Sequence, residues 1–369
     1  RISVVKLQVF SLIALGGLIS LGGCSTVNQV TKLIPEHAIV KHSQSEDSES
    51  RFANLYEKKP EYPVTCEMGC YAPVTDIRCS AEMENCKYIG QQSPPQLNTG
   101  FNVTWFGHAS FKIETSDGQS FLFDPVVDQF DWPVDWAFRL SEGFFRKPPT
   151  GMTADSLTNP TAVMYSHIHY DHFHKGDIEA LGNKVDYLTP LGFADHFPND
   201  GYKITEMAWY AQKDFGETQV HFTPAHHFSS RIWVPFLYED NDKSLWGSWL
   251  LKYKGKSLYF AGDTGYSKHF KDINDKYGDI DVCLLPIASY HHDEHANWYR
   301  YVHTTPEDAL VAANDLNCKV VIPWGYGNAT WKMGDKTSHS ALFRLLNMKQ
   351  QMPQTPPLYI LNEGDSIAL

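Results

Sequence analysis

A chain of 369 residues with 42% hydrophobic and 14% aromatic residues can bury a sizeable core, which excludes a disordered or fibrous protein. A formal net charge of -12 makes nucleic-acid binding a poor fit, because such binding rests on neutralising phosphates with lysine and arginine. The 17 histidines are more informative than the charge, since many fall in a few short segments.

In chain order, the first element is a targeting segment. Arg1 and Lys6 flank an apolar run, Leu7 to Leu21, that is too short for a comfortable transmembrane helix. It ends Leu21-Gly22-Gly23-Cys24-Ser25, and small residues before a cysteine resemble a bacterial lipoprotein cleavage site. The resemblance implies a signal peptide over 1–23, lipidation of Cys24, and an outer-membrane lipoprotein of a Gram-negative cell facing the periplasm or the surface. An uncleaved anchor or an ordinary signal peptide is the alternative.

Residues 24–50 read as a polar tether, because a stretch such as Ser43-Gln44-Ser45-Glu46-Asp47-Ser48-Glu49-Ser50 has too little apolar surface to order itself. Residues 51–98 form a cysteine-rich extension. In an oxidising compartment Cys66, Cys70, Cys79 and Cys86 predict two disulfides in one of three connectivities, with a zinc knuckle as the rival. Cys283 and Cys318, in or beside apolar runs, are expected to be buried thiols.

A globular domain is expected over 99–369. Strands are predicted at 102–106, 110–114, 121–123, 161–165, 185–189, 218–223, 248–253, 257–261, 281–286 and 319–322, with a turn at Asp117-Gly118. Helices are predicted near 176–182, 191–197 and 306–316. Hairpins mixed with helical crossovers indicate an α+β fold, a four-layer αββα sandwich. Between 128 and 149, Phe130, Trp132, Trp136, Phe138, Phe144 and Phe145 make an aromatic loop. It either packs on the core or forms an apolar lip that admits acyl chains.

The chemistry concentrates in Ser166-His167-Ile168-His169-Tyr170-Asp171-His172-Phe173-His174, directly after the apolar run 161–165. In an extended segment His167 and His169 point the same way and can serve one ion. After a turn, Asp171 and His172 can face a second. Imidazole with carboxylate suits Zn²⁺, with iron and manganese as alternatives. His174 lies beyond the pattern and is expected at the surface. Two later runs also end in candidate ligands, at His226-His227 and at Asp263. An aspartate in the glycine-flanked turn Gly262-Asp263-Thr264-Gly265 can bridge two ions or cap the turn.

These segments, together with Trp105-Phe106-Gly107-His108-Ala109, Leu245-Trp246-Gly247-Ser248-Trp249 and His303-Thr304-Thr305-Pro306-Glu307-Asp308-Ala309, resemble the metallo-β-lactamase-fold hydrolases. Within them they look closest to the branch containing the N-acylphosphatidylethanolamine-hydrolysing phospholipase D. The resemblance implies that His167, His169 and His227 hold one zinc, that Asp171 and His172 hold a second, and that Asp263 bridges. It implies catalytic roles for Asp171, which would position and deprotonate water, and for His303, near the substrate. His108 and His226 would support the ligands. The family's His-Trp-Gly triplet is replaced by Pro323-Trp324-Gly325, so one expected ligand of the second zinc is missing. His291, His292, His295, His339 or water are candidate substitutes.

The implied activity is zinc-dependent hydrolysis of a phosphodiester in an N-acylphosphatidylethanolamine-like lipid. A lactone or ester hydrolase, or a non-catalytic envelope lipoprotein with a degenerate metal site, are the alternatives. The expected partners are a lipid or small-molecule substrate and, through the lipid anchor, a membrane; nucleic acid is not expected.

Overall fold

The computed structural model describes residues 26–369 except 39, 45–49, 57–60, 82–84, 129, 132, 133, 135, 137–150, 232, 235–237, 292–295 and 329–336. The first sheet contains β1 (Gln29–Leu33), β2 (Phe101–Gly107), β3 (Ser110–Thr115), β4 (Ser120–Phe123), β5 (Ala162–Met164), β6 (Asp186–Pro190) and β7 (Lys203–Met207). The second contains β8 (Gln212–Phe215), β9 (Thr218–Thr223), β10 (Ser248–Tyr253), β11 (Lys256–Phe260), β12 (Val282–Pro286) and β13 (Val320–Trp324). The last strand, β14 (Ser366–Ala368), returns to the first sheet beside β2. The orders are β1-β7-β6-β5-β4-β3-β2-β14 and β8-β9-β10-β11-β12-β13.

The side-chain pattern explains each sheet. In β2, residues 101 to 105 alternate buried and half-buried, the period-two signature of a strand. In β12 and β13, which pair in parallel, every residue is buried, as expected of strands covered on both faces. The inner faces meet through aromatic rings. Phe123 stacks on Phe260 at 4.8 Å, and Phe260 stacks on Trp324 at 5.6 Å. Burying each such ring stabilises the fold by about 1.5–3 kcal/mol.

Helices cover both outer faces. Ile178 of α1 (Lys175–Leu181) packs with Leu122, Val163 and Tyr187 on the first sheet. Phe270 and Ile273 of α2 (His269–Tyr277) join the main core on the second, where Phe270 meets Tyr259 edge-on. The short α3 (Ala296–Val302) leads to α4 (Pro306–Asp315), which starts sharply. There the Thr305 side chain accepts from the Asp308 amide, Asp308 reaches back to the Thr305 amide, and Pro306 occupies the first turn. Leu310 of α4 and Leu342 and Leu345 of α5 (Ser340–Gln351) complete the layer. The architecture is the expected αββα sandwich.

Four expectations are corrected. Residues 29–33, read as tether, form β1, paired in parallel with β7; residues 41–44 pair with 50–53. Four of the five β1 residues are exposed, so backbone pairing to a sheet edge holds the strand and no hydrophobic pattern announces it. Cys283 and Cys318 are bonded to each other. Parallel pairing of β12 with β13 brings these distant positions to a Cα separation of 6.0 Å, while their apolar flanks made them look like isolated core thiols. His174 is half-buried rather than a free surface side chain. It caps α1, its side chain accepting from the Asp177 amide. The extension, finally, is part of the body: Ile77 and Cys86 lie in the main core. Its disulfides are Cys66–Cys70 and Cys79–Cys86. Of the aromatic loop, Phe130 is buried and Trp136 is exposed, while Trp132, Phe138, Phe144 and Phe145 lie outside the described residues.

Candidate metal centre

The candidate ligands gather where strands of both sheets end. The segment 167–172 follows β5, His226 and His227 follow β9, and Asp263 follows β11. Asp263 can sit there because Gly262 adopts a φ of +60°, and a Cβ on it would come within 2.8 Å of the Ser166 Cβ and 3.0 Å of the Gly247 carbonyl oxygen. His303 arrives from the end of α3.

On one side, His167, His169 and His227 converge. His167 Nε2 lies 2.7 Å and His227 Nε2 3.3 Å from His169 Nδ1. Burial pushes His167 and His227 well below the usual imidazole range and His169 down to about 4, so all three present the neutral form that ligates. On the other side stand Asp171 and His172. His172 Nε2 is 3.5 Å from Asp171 Oδ2 and 3.1 Å from Asp263 Oδ2, yet it is buried without a well-aligned hydrogen bond to either. Asp263 Oδ2 is also 3.9 Å from His227 Nε2 and 3.3 Å from His303 Nε2, so this carboxylate joins the two sides.

The charge distribution calls for a cation. Burial disfavours a charged His172, but Asp263, Asp171 and Asp124 overcome it and raise the imidazole well above its usual range. Burial likewise opposes ionisation of Asp171 and Asp263, and His172 outweighs it, holding both carboxyls well below theirs. The three neutral imidazoles of His167, His169 and His227, and the ionised Asp171 and Asp263 around His172, with ligand atoms in each group within 4.8 Å of one another, fit divalent metal.

Supporting residues missed in the sequence explain the precision. Asp124, just past β4, accepts from the Ser166 amide at 2.7 Å and the Ser166 hydroxyl at 2.5 Å, and it meets His172 Nδ1 at 2.8 Å. Ser166 Oγ in turn meets His167 Nδ1 at 2.9 Å. One buried carboxylate therefore orients an imidazole on each side. The available signal was the one that picked out Asp263: an aspartate directly after an apolar run, here Phe121-Leu122-Phe123. Arg231 braces the motif loop. Its guanidinium donates to the Ile168 and Phe173 carbonyls at 2.9 and 2.8 Å, pairs with Asp131, and lies 4.2 Å over the Tyr170 ring.

Asn54, from the extension, clamps His227. Its side chain donates to the His227 carbonyl at 2.9 Å and accepts from the His227 amide at 3.0 Å. His227 Nδ1 faces the Val302 carbonyl at 2.9 Å, which leaves Nε2 for the cluster. Asn54→Ala is expected to weaken metal binding at the three-histidine side by about tenfold, read by chelator competition, without removing a ligand.

Residues 119–326, more than half of the chain, match the family model described as "Beta-lactamase superfamily domain". The chain belongs to the beta-lactamase superfamily. It has the metallo-β-lactamase fold. An uncharacterised protein of Mycobacterium tuberculosis is 32% identical over 233 residues, covering 60% of this chain and 58% of the relative. The N-acyl-phosphatidylethanolamine-hydrolyzing phospholipase D 1 of Caenorhabditis elegans is 28% identical over 257 residues, covering 64% and 66%. The chain thus spans less than two thirds of either relative's length. Among solved structures, the metallo hydrolase Igni18 of Ignicoccus hospitalis shares the fold, with a TM-score of 0.52 at 20% identity over 72% of this chain and 97% of that one.

The superfamily segments are brought together in space. His167, His169, Asp171, His172, His227, Asp263 and His303 all enter one cluster, and His108 Nε2 touches Asp171 Oδ2 at 2.8 Å. His226 is buried behind it, its amide donating to Thr264 Oγ1 beside Asp263. Pro323 is buried within β13 opposite Leu285. Of its possible substitutes, His292 and His295 lie outside the described residues. Neither His291 nor His339 joins a group of converging ligand atoms among the described residues. His339 instead packs on the Tyr326 ring at 5.3 Å.

Proposed function

We propose that this superfamily member is a zinc-dependent phosphodiesterase of phospholipase D type, acting on N-acylphosphatidylethanolamine-like lipids. The observation that carries the reading is an aromatic shelf beside the cluster. The Phe228 ring lies 4.5 Å from the His169 ring, and the Trp298 ring lies 5.1 Å from Phe228 and is 47% exposed. A shelf running from a ligand to solvent suits an acyl chain carried beside a phosphodiester. The activity in the nematode relative's name supports the same substrate class.

In this reading His167, His169 and His227 would hold one zinc and Asp171 and His172 the other, with Asp263 available to both. Bound zinc supplies Lewis acidity and lowers the pKa of water towards about 7. Asp171 orients the attacking water and takes its proton. His303 directs Nε2 towards Asp263 at 3.3 Å, from where it would meet a phosphoryl oxygen of the substrate. Phe228 and Trp298 keep the acyl side apolar. Water adds to phosphorus and the alkoxide leaves with a proton, giving phosphatidic acid and an N-acylethanolamine.

The test supplies N-acylphosphatidylethanolamine in mixed micelles to the purified protein, with and without chelator. Chelator-sensitive release of phosphatidic acid is the expected result. Its absence, with turnover of lactones instead, contradicts the reading. Trp298→Ala is expected to raise KM for long-chain substrates by about tenfold and leave kcat nearly unchanged. Comparing acyl lengths checks this, since short chains should not feel the change.

The proposal includes a lipid anchor at Cys24, which lies outside the described residues. Among the described residues no helix is long and apolar enough to cross a membrane. Cys24→Ala is expected to move the protein from the outer-membrane fraction to the soluble periplasmic one and to abolish labelling by radioactive palmitate.

A further inference from the structure

Pro323 stands where the resemblance implies a histidine ligand of the second metal ion, and its neighbour Trp324 lies 6.4 Å from the His108 ring. We infer that His108 ligates the second metal ion in place of the missing histidine. The inference rests on the two-metal reading above and assigns the fourth protein ligand of that same site.

Three observations carry it. His108 Nε2, Asp171 and His172 form a group whose ligand atoms lie within 4.8 Å of one another, all three residues buried. The spacings around this group are 2.8 Å from His108 Nε2 to Asp171 Oδ2, 3.5 Å from Asp171 Oδ2 to His172 Nε2, and 3.1 Å from His172 Nε2 to Asp263 Oδ2. Ligand atoms at the corners of a zinc tetrahedron with bonds near 2.0–2.1 Å are separated by about 3.3 Å, so small rotations convert the array into a coordination shell. The second observation is backbone conformation. His108 has a φ of +47° and follows Gly107 at +126°, where the β2–β3 register shifts. A non-glycine residue held in the left-handed region beside a bulge re-aims its side chain at a cost, as functional residues often do. The third is discrimination. His303 groups with His227 and Asp263 on the three-histidine side, whereas His108 groups with Asp171 and His172. The His108 ring also lies 6.4 Å from Trp324 and 5.1 Å from His172, between the Trp-Gly anchor of the altered triplet and the site.

A histidine that merely hydrogen-bonds Asp171 fits the 2.8 Å contact as well, so the test separates the two roles. His108→Gln retains an amide N–H that can donate to Asp171 but loses the imidazole. Zinc content after gel filtration, chelator competition and thermal melting are compared for wild type, His108→Gln and His108→Ala. Wild type is expected to hold two ions. Both variants are expected to retain the tight ion and to lose at least about tenfold in affinity for the weaker one, with a melting curve for the one-zinc form like that of wild type stripped to one zinc. His108→Gln binding two ions with wild-type affinity overturns the inference and leaves the two-metal reading intact. A wild type that binds fewer than two ions overturns the two-metal reading itself. Should both variants fail to fold, a crystal structure of zinc-loaded wild type decides: His108 Nε2 about 2.1 Å from the second ion supports ligation, and a water in that position refutes it.

Discussion

Replacing His169 by alanine is expected to abolish hydrolysis, lowering the rate by about a thousandfold or more, and to weaken the tighter metal site by about a hundredfold or more. His169 forms a triangle of rings with His167 and His227, the three separations being 4.3, 5.0 and 4.7 Å, so its loss leaves two imidazoles that cannot close a shell. It also removes the ring against which Phe228 packs. The control is His174→Ala, which removes the cap of α1 and is expected to cost about 1 kcal/mol while keeping activity near wild type. Zinc analysis and steady-state rates on both variants check the pair. A His169→Ala protein that keeps its zinc and its rate would mean that the three-histidine group is not the metal site.

Asp124→Asn is the second large effect, at a residue with no proposed contact to metal or substrate. The carboxylate is fully buried, and burial raises its pKa against the pull of the His172 imidazole. It takes the Ser166 amide and hydroxyl while facing His172 Nδ1. An asparagine keeps the shape but offers one acceptor oxygen for these contacts, so either Ser166 or His172 loses its guide. The expected result is about 10–100-fold weaker metal binding with a parallel fall in kcat, and a loss of about 1–3 kcal/mol in stability. Measuring zinc affinity separately from melting distinguishes this from simple unfolding: excess zinc should restore much of the rate without restoring the apo-protein's stability. If affinity is unchanged while stability falls, Asp124 is only a packing residue.

Much of this was legible in the sequence because the site is built from strand ends. Apolar runs that stop at histidine or aspartate marked His167, the pair His226-His227 and Asp263, and the same rule, applied once more, marks Asp124. Residues that act through backbone contacts were not legible. Asn54 reaches His227 across 173 positions, and nothing around it in sequence distinguishes it from any other polar residue of the extension. Arg231 reads as one charge in a loop, although its guanidinium ties down the carbonyls at 168 and 173. Strand β1 escaped because an edge strand can be recruited by hydrogen bonds alone. The Cys283–Cys318 bond escaped because it depends on strand order, which local pattern does not encode. In each case the missing information was tertiary.

The arrangement divides the labour. Rigid elements of both sheets fix the ligands, Asp124 and Asn54 fix the ligands' orientation, and the extension contributes directly to the centre it covers. In the proposed function the cluster holds two metal ions that act in hydrolysis. The most direct measurement is the zinc-to-protein ratio of purified protein, followed through a chelator titration while hydrolysis of N-acylphosphatidylethanolamine is recorded. Two zinc ions per chain are expected, with activity falling as the weaker ion leaves and returning when zinc is restored. A protein that contains no zinc, or one whose hydrolysis is indifferent to the loss of both ions, would contradict it.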